Sequence, residues 1–228
     1  MAGTVLTGKA KRGTAAPSAR TRVRRMPARG VYGREAIYAI LDAGLLCHVG
    51  YVSDGQTYVT PTAHWREGDH LYWHGSSASR MLRVQGAGVP VCVTVSLLDG
   101  IVLARSGFHH SMNYRSVMAL GIAEPVEAPE AKLAALKAFT ERVAPGRWHE
   151  VRPPTAQELK ATTIMRLKLD EVSAKVRTGP PVDDEADYAL PCWAGVVPVA
   201  VQAGPPQPDP RLSAQTPIPS YLAALRLG

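Results

Sequence analysis

Cysteine is scarce in this chain of 228 residues, and the three present, Cys47, Cys92 and Cys192, are far apart and set among apolar neighbours. Without a CxxC spacing neither a zinc site nor a disulfide framework is expected, and buried reduced thiols are the default. No stretch approaches ~18 uninterrupted apolar residues, so no membrane span is expected. The amino-terminal region also lacks the apolar core of a secretory signal, which makes a soluble, cytoplasmic protein the expectation. Neither a Walker nor a Rossmann glycine pattern occurs, no internal repeat is visible, and no convincing catalytic triad stands out. Acidic residues are missing altogether from residues 1–29, which carry Lys9, Lys11, Arg12, Arg20, Arg22, Arg24, Arg25 and Arg29. The net charge of +7 therefore belongs to that segment, and the body is near neutral. Such a segment, rich in Ala, Gly, Thr and Arg without apolar periodicity, reads as a solvated, disordered tail over 1–29 rather than a nucleic-acid partner.

The rest of the chain is dense in β signals. A helix is predicted over 33–43, where Ile37, Ile40 and Leu41 fall on one face and Gly44 stops it. Strands then follow at short intervals over 45–53, 56–66 and 70–74, joined by the tight turns Asp54-Gly55 and Glu67-Gly68-Asp69. A short helix over 79–86 leads to apolar runs at 90–98 and 101–106 flanking Asp99-Gly100, which reads as a third hairpin. A strand is predicted at the end of 112–126, followed by the best helix of the chain over 129–143, with Pro129 in its first turn. A short helix over 155–161, one long strand over 162–176 and a last strand within 194–201 complete the body. From 204 to 228 the chain is Pro-rich and reads as an extended surface segment. Many strands joined by tight turns, with helices between groups, read as a mainly β fold, a barrel with peripheral helices, over 30–203.

Three tracts carry chemistry. His74-Gly75-Ser76-Ser77-Ala78-Ser79-Arg80 closes an apolar strand and opens a short helix. Small residues, serine hydroxyls and an arginine fork are what a phosphate monoester needs, although a Gly-Ser turn with Ser79 as N-cap reads much the same. His109-His110-Ser111-Met112-Asn113-Tyr114-Arg115-Ser116 opens a later strand. Its two histidines do not form a metal site, since adjacent strand residues face opposite ways. Pro191-Cys192-Trp193-Ala194-Gly195-Val196-Val197-Pro198 comes last. Arg80 and Arg115 each read as an anion-binding or an ion-paired arginine, and His48 and His64 as satisfied core or rim histidines.

Taken in order, these tracts resemble the pyridoxamine 5'-phosphate oxidase-like flavin-binding split barrels, and more closely the flavin-nucleotide-binding, nitroimidazole-resistance-like branch. The resemblance runs from about Arg24 to Arg211. It implies a split β-barrel with peripheral helices, dimeric, with FMN at the two-fold interface and FAD as the second choice. Thr60, Pro61 and Thr62 would run beside the isoalloxazine. Trp73, His74, Ser76, Ser77, Ser79 and Arg80 would hold the ribityl chain and phosphate. Ser96 would approach from the same face. His110, Ser111, Asn113, Tyr114, Arg115 and Ser116 would close the site from the same or the partner subunit. Trp193 would cap the flavin slot or pack in the core.

The chain departs from the authentic oxidases at two points. Met81 stands where a lysine usually follows the arginine, and residues 194–228 hold no Arg- and His-bearing substrate motif. Pyridoxamine phosphate is therefore not the expected substrate. The resemblance implies a flavin-dependent oxidoreductase acting on a small organic molecule, with a non-catalytic flavin carrier, sensor or regulator as the alternative. Related split barrels also bind haem or deazaflavin, but no histidine of the sequence stands out as a haem ligand.

Overall fold

The computed structural model describes residues 15–213 and 215–225. Their architecture is a ten-stranded antiparallel sheet with few helices. A two-residue strand β1 (Gly30–Val31) precedes helix α1 (Arg34–Ala43). Then come β2 (Leu46–Ser53), β3 (Gln56–Glu67) and β4 (His70–Ser76) as a meander. Helix α2 (Arg80–Gly86) leads to the long strands β5 (Pro90–Leu103) and β6 (Ser111–Ile122). The short β7 (Glu124–Pro125), α3 (Pro129–Val143) and α4 (Ala156–Ala161) follow. The last strands are β8 (Thr162–Lys168), β9 (Glu171–Arg177) and β10 (Gly195–Pro198).

The sheet order is β1-β9-β6-β5-β2-β3-β4-β8-β7, with β10 added to β5. β8 and β9 are consecutive in the chain yet lie towards opposite ends of this order, β8 pairing with β4 and β9 with β6. Two residues, Leu169 and Asp170, carry the chain across the break. Leu169 is fully buried and its N–H donates to the Asp69 carbonyl at 2.9 Å. Ala123 likewise passes from β6 to β7, which pairs with β8. The barrel is thus closed by chain crossings and split where ladder bonds would be.

This corrects two expectations. Residues 162–176 form two strands: the buried positions Met165, Leu167 and Leu169 shift phase to Val172 and Ala174 across Asp170-Glu171, a break easily read over because it holds neither Gly nor Pro. Asp99-Gly100 is not a hairpin but a bulge inside one continuous β5. Gly100 serves a close approach there: a Cβ would lie 2.9 Å from Val196 Cγ1 and 3.2 Å from the Val197 carbonyl oxygen. Asp54-Gly55 does form the expected turn, with φ of 51° and 76°, as the tight primed hairpin requires.

Alternating residues of the strands fill the core: Cys47, Val49 and Tyr51, then Val91, Val93 and Val95, then Val117 and Ala119. Helix α1 adds Ile37, Ile40 and Leu41 to this cluster. A second cluster gathers Trp65, Ala135 and Ile164, with Tyr72, Leu136 and Phe139 beside them, so α3 covers one end of the sheet. The amino-terminal segment also differs from the disordered tail expected over 1–29. Residues 1–14 lie outside the described residues, but Thr21 is 1% exposed. Ser18 Oγ donates to Glu171 of β9 at 2.5 Å, and Val23 N donates to the Tyr32 hydroxyl at 2.9 Å. Hydroxyls and backbone anchor this stretch, with Arg20 3.5 Å from Glu171 beside them. No helix among the described residues is long and apolar enough to cross a membrane.

Candidate functional site

β3 and β4 pair from Glu67↔His70 to His64↔Trp73 and then part. Beyond that point β3 pairs with β2, and β4 with β8. Thr60, Pro61 and Thr62 lie on one side of this parting, and His74 to Arg80 on the other. By strand alternation Thr60 and Thr62 share the half-buried side of β3 with Tyr58, while Pro61 is exposed beside Val59.

The turn at Ser76–Ser79 spends its backbone internally. Ser77 N donates to the Ala161 carbonyl at 2.8 Å, Ser79 N to the Ser76 carbonyl at 2.9 Å and Ala78 N to Ser76 Oγ at 3.2 Å. Side chains are therefore the donors left to a ligand. Ser79 occupies the N-cap position of α2, but its hydroxyl makes no capping hydrogen bond. Helix α2 has seven residues, too short for its dipole to count for much. Arg80 has no carboxylate partner among the described residues. Its guanidinium lies 4.0 Å from the centroid of the Tyr58 ring, which stacks on Tyr51 at 5.5 Å. Stacking holds the fork in place while leaving its in-plane N–H groups open. Gly75 keeps the strand end close to α2, since a Cβ would sit 3.1 Å from Leu82 Cδ1.

His74 is half-buried, its ring edge-on to Phe139 at 4.7 Å and tilted to Trp65 at 5.7 Å. Its Nδ1 is buried without a partner among the described residues, and burial pulls its pKa below the usual histidine value. Trp73 corrects the expectation that it holds the ligand. It is 0% exposed, and its indole N–H donates to Gln85 Oε1 at 2.9 Å inside the core.

The second tract is mostly committed elsewhere. Arg115 forms a bidentate pair with Asp99 at 2.8–3.1 Å, so its fork is already occupied. Asn113 is buried, donating to the Gly179 carbonyl at 3.1 Å and accepting from Arg177. Ser116 Oγ donates to the Lys175 carbonyl at 3.2 Å, and His110 Nδ1 bonds the Ser106 carbonyl oxygen at 2.9 Å. Ser111 and Tyr114 are half-buried on β6, and Ser96 is exposed opposite Ser116. Trp193 is 66% exposed and lies over Gly195, where a Cβ would come within 2.9 Å of its ring. It is not packed in the core.

Two participants were missed at the sequence level. Tyr58 was readable, because the two-residue Asp54-Gly55 turn fixes the pairing Tyr51↔Tyr58. Asp99 was not, since its role depends on the bulge that brings it to Arg115.

The family model for pyridoxamine 5'-phosphate oxidase matches residues 33–176. The chain belongs to the pyridoxamine 5'-phosphate oxidase family. Within this family the chain is similar to the flavocytochrome Anf3 from Azotobacter vinelandii, at 48% identity and a TM-score of 0.90, covering 94% of this chain and 100% of that one. It is also similar to the FAD and haem binding protein from Mycobacterium smegmatis, at 39% identity and a TM-score of 0.83, covering 87% and 97%. A candidate 5-nitroimidazole antibiotic resistance protein from Bacteroides thetaiotaomicron shares the fold at 24% identity and a TM-score of 0.53, covering 64% and 86%. Comparison with curated proteins gave no match. The family's split-barrel fold is the one described above.

Proposed function

We propose that this chain is a flavoprotein oxidoreductase that also carries haem and acts on a small organic molecule. The observation that carries the flavin part is the parting of β3 and β4, with Arg80 unpaired by any described carboxylate at its mouth. The donor set fits a flavin nucleotide. Arg80 and the Ser77 and Ser79 hydroxyls would hold the phosphate, and Thr60 and Thr62 would lie along the other wall. The haem part is supported by the 48% identity to a flavocytochrome and the 39% identity to an FAD and haem binding protein. The latter also favours FAD over the FMN first expected.

Bound flavin supplies hydride and single-electron exchange, and haem passes electrons singly. The chain's own part is to hold and orient these groups. A homodimer belongs to this reading. Its support is an apolar strip on one face of the sheet, where Met112, Ile101 and Val197 stand at neighbouring register positions and are all exposed. A cytoplasmic setting accords with three free cysteines.

Mass spectrometry of the ligand released on denaturation is the test. FAD is the expected mass; FMN would correct the nucleotide. A protein that arrives colourless and takes up neither would end the proposal. One observation favours a non-catalytic electron carrier as the second reading: His110, Asn113, Arg115 and Ser116 are all spent on internal bonds. Turnover with candidate donors and acceptors, followed through flavin reoxidation, separates the two.

A further inference from the structure

The outer face of the sheet holds a cavity that the flavin reading leaves unused. It measures about 660 Å³, within the range of cofactor pockets, ~300–1,000 Å³. Register explains how it forms. His48 pairs with Pro61 and Thr94, and Gly50 with Val59 and Cys92, while Cys92 also pairs with Leu120, so alternate residues of four strands share one face. Gly50 contributes no side chain to the floor. Val59 is 64% exposed at the cavity wall, an uncovered apolar surface on an otherwise ordinary sheet.

His48 is exposed at this cavity and has no hydrogen-bond partner among the described residues. Most other histidines are engaged. His64 Nε2 bonds the Leu41 carbonyl oxygen at 3.0 Å, His70 pairs with Asp69 and His109 with Asp184, and His110 bonds Ser106. His74 is wedged between Trp65 and Phe139. His149 lies on a 3-10 turn remote in sequence from these strands. Arg20 also borders the cavity, mostly exposed and ion-paired with Glu171 at 3.5 Å through one nitrogen, which leaves the rest of its fork for a second carboxylate.

A flat apolar floor, one free imidazole and an arginine at the edge match an iron porphyrin. Imidazole is a ligand for its iron, apolar walls suit the macrocycle, and a guanidinium suits a propionate. We propose that His48 is the axial ligand of haem bound in this cavity. The proposal rests on the haem part of the reading above. A second copy of the chain laid over the same face would bury its apolar residues without using the imidazole.

The test is haem titration of the full-length chain, followed through the Soret band, for wild type, His48→Ala and His48→Met. His149→Ala serves as control, with far-UV circular dichroism and flavin content checking the fold. Wild type and His149→Ala should saturate with a shifted Soret band. His48→Ala should bind at least about tenfold more weakly and lose the shift, and added imidazole should restore it. His48→Met should move the band to a different position, since it exchanges the ligand rather than removing it. A folded His48→Ala protein with wild-type Soret band and affinity would overturn the assignment while leaving haem binding intact. Wild type that takes up no haem would instead overturn the haem reading itself, and leave the flavin site untouched.

Discussion

Arg80 combines a fixed position with an open donor fork. The Tyr58 ring beneath it restricts its rotamers, and no described carboxylate competes for its N–H groups. Arg80→Ala should therefore weaken flavin binding by about 10- to 100-fold, the value of a charged hydrogen bond at ~1.5–3 kcal/mol. Arg80→Lys should recover part of this, because it restores the charge but not the fork. Quenching of flavin fluorescence on titration reads both, and the melting temperature should barely move. His74 and His64 set a pH dependence of stability. Burial holds both below the usual 6.5, although the bond to the Leu41 carbonyl opposes this for His64. In the unfolded chain they protonate first as pH falls. Their contribution is complete above about 6.5 and is lost as pH falls towards their folded values. Urea midpoints measured from pH 8 down to pH 5 should decline below that point. His74→Phe should flatten the decline by removing one of the two titrating rings from the Trp65–Phe139 wedge.

At the scale of elements, Trp73 and Gln85 tie β4 to α2 through one buried hydrogen bond. Gln85→Leu strands the indole N–H, at a cost of about 1–3 kcal/mol. The pair Trp73→Phe with Gln85→Leu should lose less than the sum of the single changes. Chemical denaturation of the four proteins of that cycle measures the coupling. The same contact shows why part of the site was illegible in sequence. Trp73 and His74 are adjacent residues of a strand and look alike as aromatic ligand contacts, but the pleat sends one into the core and the other to the edge. Arg115 is a parallel case. Its motif reads as an anion site until the bulge at Asp99 delivers a carboxylate to it. By contrast, the helix over 129–143 and the meander from β2 to β4 were legible, because periodicity and tight-turn residues are local signals.

For the whole molecule, Gly100 is the joint that lets β10 dock on the barrel. Gly100→Ala should push β10 away at a local cost of about 1–3 kcal/mol. Hydrogen exchange of the Val197 amide, which faces Ile101 of β5, should then rise tenfold or more, while β2, β5 and β6 keep their protection. The split itself is a whole-molecule property. β8 and β9 could have formed an ordinary hairpin across Leu169-Asp170, and instead each pairs with a strand distant in sequence.

The sequence alone determined the strand meander, the long helix, the absence of a metal-binding cysteine pattern and the small-residue turn leading to Arg80. These depend on neighbours a few residues apart, where periodicity and backbone preference act directly. The tertiary structure decided which donors remain free. It bound Arg115, Asn113 and Ser116 internally and, among the described residues, left Arg80 without a carboxylate, the Ser79 hydroxyl without a capping bond and His48 without a hydrogen bond beside a cavity. Hydrogen-bond partners come from residues far apart in the chain, so only the folded sheet shows which polar groups are satisfied and which are left for a ligand.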